Sequence, residues 1–365
     1  MLRRTFLTLL PAALAAGCAA HKPEELLGSA LMAASIGDIS GNHAIFVATT
    51  RKRSDDPNKV FDGERSAALS FARVNVTVPK SHESGKIERK SRGNSNDPSK
   101  YFMASEIAGY DSETKFLLAL NTDTAARGGR VMVFVHGYNT GFDDAVYRLT
   151  QIVHDSGYPG TPLLFSWASG ASTTGYVYDK ESAAAARDQL EETLRLLARG
   201  SARRIDIVAH SMGTWVTMEA LRQLAIKGNR TLGGKLGDVV LASPDIDVDV
   251  FKSQMQRYGK PDKPFIVLLS DDDRALRLSS MIAGSQPRVG DYKNAAQDLT
   301  SYGVTVVDMS GVKAGDSFNH TKFADNPELV ALLGKRLRED DGYASDRDVT
   351  DRINQVNHEI KAGLL

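Results

Sequence analysis

From about residue 112 onward, short apolar runs alternate with longer amphipathic stretches. The runs RVMVFV (130–135), TPLLFSW (161–167), RRIDIVA (203–209), GDVVLAS (237–243), KPFIVLLS (263–270) and GVTVVDMS (303–310) are short and largely apolar. Runs of this kind mark strands buried on both faces. Residues 142–155, 180–199 and 212–226 read as helices between them, with Trp215, Met218, Leu221 and Leu224 at helical spacing in the last; KFLLAL (115–120) also reads as helical. Strands separated by helices predict an α/β fold with a mostly parallel central sheet and helices on both faces. Ahead of this region, AIFVATT (44–50) and ALSFARVNVTV (68–78) read as strands, the second alternating imperfectly through Leu69, Phe71, Val74 and Val76. Residues 80–100 form a polar loop in which Ile87 is the sole core-building residue, and the stretch from 336 to 365 reads as a charged surface helix and tail. No repeat and no second boundary interrupts 44–335, which is expected to be one domain.

Composition adds little to that picture, at 42% hydrophobic and 25% charged, which is ordinary for a globular protein. Lys plus Arg and Asp plus Glu both number 45, so nothing in the net charge argues for nucleic acid as a partner. RKR at 51–53 and the mixed charges of 80–100 read as solvated surface.

The first residues change the picture more. MLRRTFLTLLPAALAAGCAA has two arginines, an apolar run from Phe6 to Ala16, then small residues: a signal peptide over 1–18, too short to span a membrane. Arg3-Arg4-x-Phe6-Leu7 resembles a twin-arginine export signal. Leu14-Ala-Ala-Gly-Cys18 resembles a bacterial lipobox, so Cys18, the sole cysteine, is expected to be lipidated and 19–43 to act as a polar tether. The lipobox has Ala15 three places before the cysteine, which departs from its commonest form. A single cysteine excludes any internal disulfide. These features predict an exported, lipid-anchored envelope protein on the periplasmic face; Ala19, in place of Asp, points to the outer membrane in a Gram-negative cell.

Candidate chemistry gathers at the carboxyl ends of the strands, where open parallel sheets place functional groups. After RVMVFV comes His136-Gly137-Tyr138-Asn139, and after RRIDIVA comes His210-Ser211-Met212-Gly213. KPFIVLLS is followed by Asp271, Asp272 and Asp273, and GVTVVDMS by a loop holding His320. Ser211 lies on a strand-to-helix hinge, so it is either a helix N-cap or a nucleophile lifted on a tight turn. Ala209-His-Ser211-Met-Gly213 departs from Gly-x-Ser-x-Gly at its first position, and the pentapeptide alone does not choose.

The partners argue for the nucleophile. Serine, carboxylate and histidine occur in the chain order that α/β-hydrolases use. A serine hydroxyl needs an imidazole to take its proton, and the imidazole needs a carboxylate to hold its tautomer. His320 is selected by elimination: His21 and His43 precede the sheet, His82 is in the polar loop, His154 in a helix and His358 in the tail. His136 belongs to the loop after its strand, and His210 adjoins Ser211 and is expected to point away from it. The competing role for His320 is to cap the helix beginning near Asn326. Amides of Met212, Gly137 and Tyr138 are the candidate oxyanion donors.

The acid is the most divided position. Asp273 precedes RALRLSSM and could equally be that helix's N-cap, with Asp271 and Asp272 as neighbours and Asp245, Asp247 and Asp249 of SPDIDVD as rivals. D-x-D-x-D here lacks the Gly and Glu of a calcium loop, Val250 and Gln256 standing in their places. No His-Glu-x-x-His and no cysteine pair is present, so no metal or other cofactor is expected.

Several stretches together resemble the bacterial esterase/lipase superfamily proteins of unassigned function, members of the α/β-hydrolase fold. They are VATTRKRSDD (47–56), GERSAALSFARVNVTVP (63–79), VMVFVHGYNTGFDDAV (131–146), LLFSWASG (163–170), IDIVAHSMGT (205–214), LASPDID (241–247), SDDDRALRLS (270–279) and GDSFNHTKFADNP (315–327). The resemblance implies a Ser211–Asp273–His320 triad and no particular substrate. The expected function is a cofactor-free serine esterase or lipase-like hydrolase, forming an acyl-enzyme on Ser211 with a small-molecule or lipid ester. The alternative is a catalytically silent binding lipoprotein of the envelope on the same fold. ASGASTTGYVY (168–178) is either a wall for the entrance or a plain surface loop.

Overall fold

The computed structural model describes residues 36–56, 59–91, 94–312 and 315–338. The expectations for the signal peptide, Cys18, most of the tether, His21, His358 and the tail beyond Arg338 lie outside those residues.

Nine strands form one sheet among the described residues: β1 (Ile39–Arg53), β2 (Phe61–Pro79), β3 (Met103–Tyr110), β4 (Arg130–Val135), β5 (Thr161–Ser166), β6 (Arg204–His210), β7 (Leu236–Ala242), β8 (Phe265–Leu269) and β9 (Val304–Asp308). The order is β3-β2-β1-β5-β4-β6-β7-β8-β9. The pairs β1–β2 and β2–β3 are antiparallel, and every pairing from β1–β5 to β8–β9 is parallel. The helices are α1 (Glu113–Ala126), α2 (Phe142–Ser156), α3 (Tyr176–Arg199), α4 (Met212–Ile226), α5 (Val248–Tyr258), α6 (Arg274–Ile282), α7 (Ala295–Leu299), α8 (Lys322–Asp325) and α9 (Pro327–Arg338). None of the described helices is long and apolar enough to cross a membrane.

The near-continuous apolar strands are explained by two cores, one on each face. In β4, Val131, Val133 and Val135 enter one cluster, while Met132 and Phe134 enter the other. Period-2 alternation is preserved, but both sides are dry. Phe116 of α1, Leu190 and Leu194 of α3, Val216 and Leu221 of α4 and Phe251 of α5 cover the first face. Val146, Leu149 and Ile152 of α2, with Phe323, Leu329 and Leu333, cover the second.

Differences from the sequence reading in the course of the strands lie in the first 110 residues. β1 starts at Ile39, inside the stretch read as tether, and His43 is part of this strand rather than ahead of the sheet. Strand β3, at the sheet edge, has no apolar run to mark it: in MASEIAGY only Met103 and Ala104 are buried, and the rest are half-buried or exposed. Arg51, read as surface, is 1% exposed, and His82 of the polar loop is half-buried between two carboxylates.

Candidate active site

Ser211 stands between the last residue of β6 and the first of α4. Its backbone has φ 52 and ψ −126, a region that residues with a Cβ seldom occupy. Its side chain makes no cap hydrogen bond to α4, so the N-cap role does not apply. The hinge is held by main chain instead. Ser211 N donates to Ala242 O at 2.9 Å, and Ser211 O accepts from Thr214 N, Thr214 Oγ1 and Asp245 N at 3.0, 2.6 and 3.3 Å.

Two glycines make the turn possible. A Cβ on Gly213 would come within 2.3 Å of His136 O and 2.5 Å of Val135 O, a collision with the end of β4. A Cβ on Gly137 would meet Ser211 Cβ at 2.8 Å. The serine and the loop after β4 therefore touch at a distance only glycine permits.

The three consecutive aspartates after β8 separate by role. Asp273 is fully buried; its Oδ1 accepts from Leu276 N at 3.0 Å, capping α6, and its Oδ2 accepts from His320 Nδ1 at 2.7 Å. Cap and histidine partner are thus one carboxylate with two oxygens. Asp272 is an ion-pair partner of the buried Lys322, whose Nζ also donates to Ser270 Oγ and Met309 O at 2.8 and 3.2 Å. Asp271 lies on the surface.

The rivals on the previous loop separate too. Asp247 caps α5 by accepting from Asp249 N and Val250 N. Asp249 is exposed. Asp245 is 2% exposed and accepts from Tyr176 Oη at 3.0 Å and from Ser279 Oγ, with Arg288 Nε at 3.3 Å. It faces the cavity but not the His320 Nδ1 position.

His320 does not cap the last helix; Asn326 does, its Oδ1 accepting from Glu328 N and Leu329 N at 3.0 and 3.1 Å. With Nδ1–H committed to Asp273, the neutral ring carries its lone pair on Nε2. Burial opposes the charged ring, but the charge and hydrogen bond of Asp273, with Asp316 and Asp245 behind, raise His320 above the ordinary histidine value. The His210 ring packs on His320 with centroids 4.6 Å apart, and burial first, then His320, holds it neutral far below the ordinary value.

Ser211, His320, Tyr138 and Asp245 line one cavity of about 630 Å³, whose other wall is Leu276, Leu278, Ile282 and Phe318. A second cavity of about 670 Å³ shares His320 and the 138–140 segment and is walled by Arg89, Tyr147, Arg148 and Asp325. Of the predicted entrance loop, Thr173 and Tyr176 line the first cavity, while Tyr178 stacks under Arg65 at 4.4 Å.

The loop after β4 is pinned from below. Arg51 donates to Ser166 Oγ, Ser169 O, Thr140 O and Asp62 O at 2.8, 2.9, 2.7 and 3.1 Å. Asp179 accepts from Asn139 N, Ser169 Oγ and Gly170 N at 2.9, 2.6 and 2.7 Å. His136 stacks on Trp167 and is drawn down to about 3 by burial and by Arg51, which makes it a neutral wedge under the loop. Met212 is the first residue of α4 and follows Ser211 directly, and Tyr138 lines the same cavity as Ser211, its Oη donating to Thr173 O at 2.6 Å. Arg51, Asp179, Asp316 and His210 were not singled out as site residues. Only Asp316, four places before His320, had a local signal.

Residues 112–336 match the model of a family described as alpha/beta hydrolase of unknown function (DUF900). Solved structures similar to the chain include lipase B of Aspergillus fumigatus, at 15% identity and TM-score 0.40 over 74% of this chain and 68% of that one. An esterase of Pyrobaculum calidifontis follows at 11% and 0.39 over 83% and 87%, and a thermostable esterase of Pseudomonas putida at 12% and 0.38 over 87% and 85%. No curated protein sequence matches.

Proposed function

The chain belongs to this family of alpha/beta hydrolases of unknown function, and on that premise we propose that it is a serine hydrolase cleaving an ester through an acyl-enzyme on Ser211. The observation that carries the reading is the strained Ser211 in the same cavity as a histidine whose Nδ1–H is held by a buried aspartate. In the forward step Ser211 Oγ attacks the ester carbonyl as His320 Nε2 takes the hydroxyl proton, and Asp273 stabilises the resulting imidazolium. Amides of Met212 and of the 137–138 loop receive the oxyanion, the alcohol leaves with the proton from His320, and water attacking the acyl-enzyme repeats the sequence. Leu276, Leu278, Ile282 and Phe318 suit an apolar acyl group, and the cavity on the far side of His320 suits the leaving alcohol and the incoming water.

A fluorophosphonate probe tests this directly. The parent should label and Ser211→Ala should not; labelling that survives the substitution removes Ser211 from the role. A series of nitrophenyl esters of increasing acyl length reads the apolar wall. Anchoring at Cys18 is part of the same proposal and rests on the sequence alone. Cys18→Ser should leave the membrane fraction with its esterase activity intact.

A further inference from the structure

His320 sits on a loop after β9, and its carboxylate partner holds only its ring. Its main chain is gripped separately, on both sides of the peptide. His320 N–H donates to Asp316 Oδ1 and Oδ2 at 3.0 and 3.3 Å. Its carbonyl accepts from His210 Nε2 at 3.1 Å and from Ser243 Oγ at 3.3 Å. A carbonyl cannot donate, so His210 carries its proton on Nε2 and is a fixed tautomer. His210 is also the last residue of β6, bonded directly to Ser211, and Ser243 follows β7 with φ 46.

We infer that His210, assisted by Ser243, is a positioning residue that sets the reach of His320 to Ser211 through the His320 carbonyl. The inference rests on the reading of Ser211 and His320 given above. One strand end then supplies both the nucleophile and the gauge that spaces its base. The gauge must be an N–H donor that stays neutral. A cation packed on the His320 ring would oppose the imidazolium that forms when Ser211 gives up its proton. A deeply buried histidine meets both demands, where lysine or arginine would not. The charged and titratable groups facing the pair are Asp273, Asp316 and Asp245 towards His320, and Arg148 and His136 towards His210.

The test uses the full chain with a nitrophenyl ester and the fluorophosphonate probe. His210→Phe keeps an aromatic ring against His320 without the donor, and His210→Gln restores a neutral N–H donor. His210→Phe should lower kcat about ten- to a hundredfold, the scale of a small misplacement of a reacting group, with KM nearly unchanged. It should also move the acid limb of activity to lower pH, because a loosened Asp273 pair no longer raises His320. His210→Gln should recover most of both. If His210→Phe does not fold, His210→Gln and Ser243→Ala carry the test, the latter expected to cost about threefold in kcat. A labelling parent whose folded His210→Phe keeps parental kcat and acid limb overturns this inference alone. So does a His210→Gln no better than His210→Phe, or, where the Phe variant is lost, a Ser243→Ala identical to the parent. A parent that never labels overturns the Ser211 reading and the inference together.

Discussion

Two groups of histidines in this molecule use the same ingredients differently. In one, His82 donates from Nδ1 to Glu88 at 2.8 Å and from Nε2 to Asp155 at 2.7 Å, while His154 and His43 lie behind it with Nδ1 and Nε2 3.1 Å apart. In the other, His320 donates from Nδ1 to Asp273, with the neutral His210 packed against it. Burial disfavours the charged form of both His82 and His320, and carboxylates overcome it in both, so both are raised above the ordinary value. Both also have a neutral histidine neighbour drawn down by burial. The distinction is in the nitrogens. Two carboxylates require two protons, so His82 is an imidazolium that clamps loop to helix and has no lone pair to offer. One carboxylate leaves His320 with a basic Nε2. A raised value alone does not mark a base; an uncommitted nitrogen does.

The largest expected effect is on the carboxylate of the second group. Asp273→Asn should still cap α6 and leave the thermal melt close to the parent, yet lower the maximal ester turnover by about 10⁴, because the amide no longer enforces the tautomer. Retained turnover would reduce Asp273 to a helix cap and collapse the contrast. His82→Gln should do the reverse. It leaves the half-buried Asp155 without its cation but still accepting from Gly85 N and Gln151 Nε2, which should cost on the order of 1 kcal/mol in denaturant unfolding while turnover per folded molecule holds.

Acidity separates the two groups by sign. His320 must be neutral to act, so activity should fall as pH drops through its raised value, giving an acid limb above about 6.5 in a kcat/KM profile. For stability, raised groups favour the fold below their unfolded value and lose that contribution as pH rises through the folded one. Thermal melts should therefore decline on the alkaline side through His82 and His320, and His82→Gln should flatten that decline. His43, drawn down to about 4 by burial and His154, acts oppositely: its contribution is present above about 6.5 and lost as pH falls towards 4. The smallest effect belongs to Asp245→Asn, expected to lower turnover less than about tenfold, since it bears on His320 only through space. A loss matching Asp273→Asn would move the acid to the earlier loop.

The parallel strands, the elbow and the order Ser211, Asp273, His320 were legible because each depends on local pattern: an apolar run, then a functional residue where the run ends. Asp273 could not be separated from Asp245 or Asp247 in the sequence because all three follow strand ends, and only three-dimensional bonding assigns their oxygens. Arg51 was hidden for a different reason. A cation within Arg-Lys-Arg reads as surface, and its burial is compensated by carbonyls from residues 62, 140 and 169, which no local window joins. The His82–Asp155 contact spans 73 residues and was equally out of reach.

The position of β1 has one more consequence. It comes first in the described chain yet lies inside the sheet, pairing with β5 from Phe46–Leu163 to Thr49–Ser166. The family match begins only at residue 112, beyond β1, β2 and β3. A chain started there would present β5, whose six residues are all buried in the intact protein, as a bare edge with unpaired main-chain groups along Leu163–Ser166. Such an edge templates strand addition between molecules. The N-terminal strands are thus a guard against self-association, and a fragment lacking them should precipitate before its catalysis could be assayed.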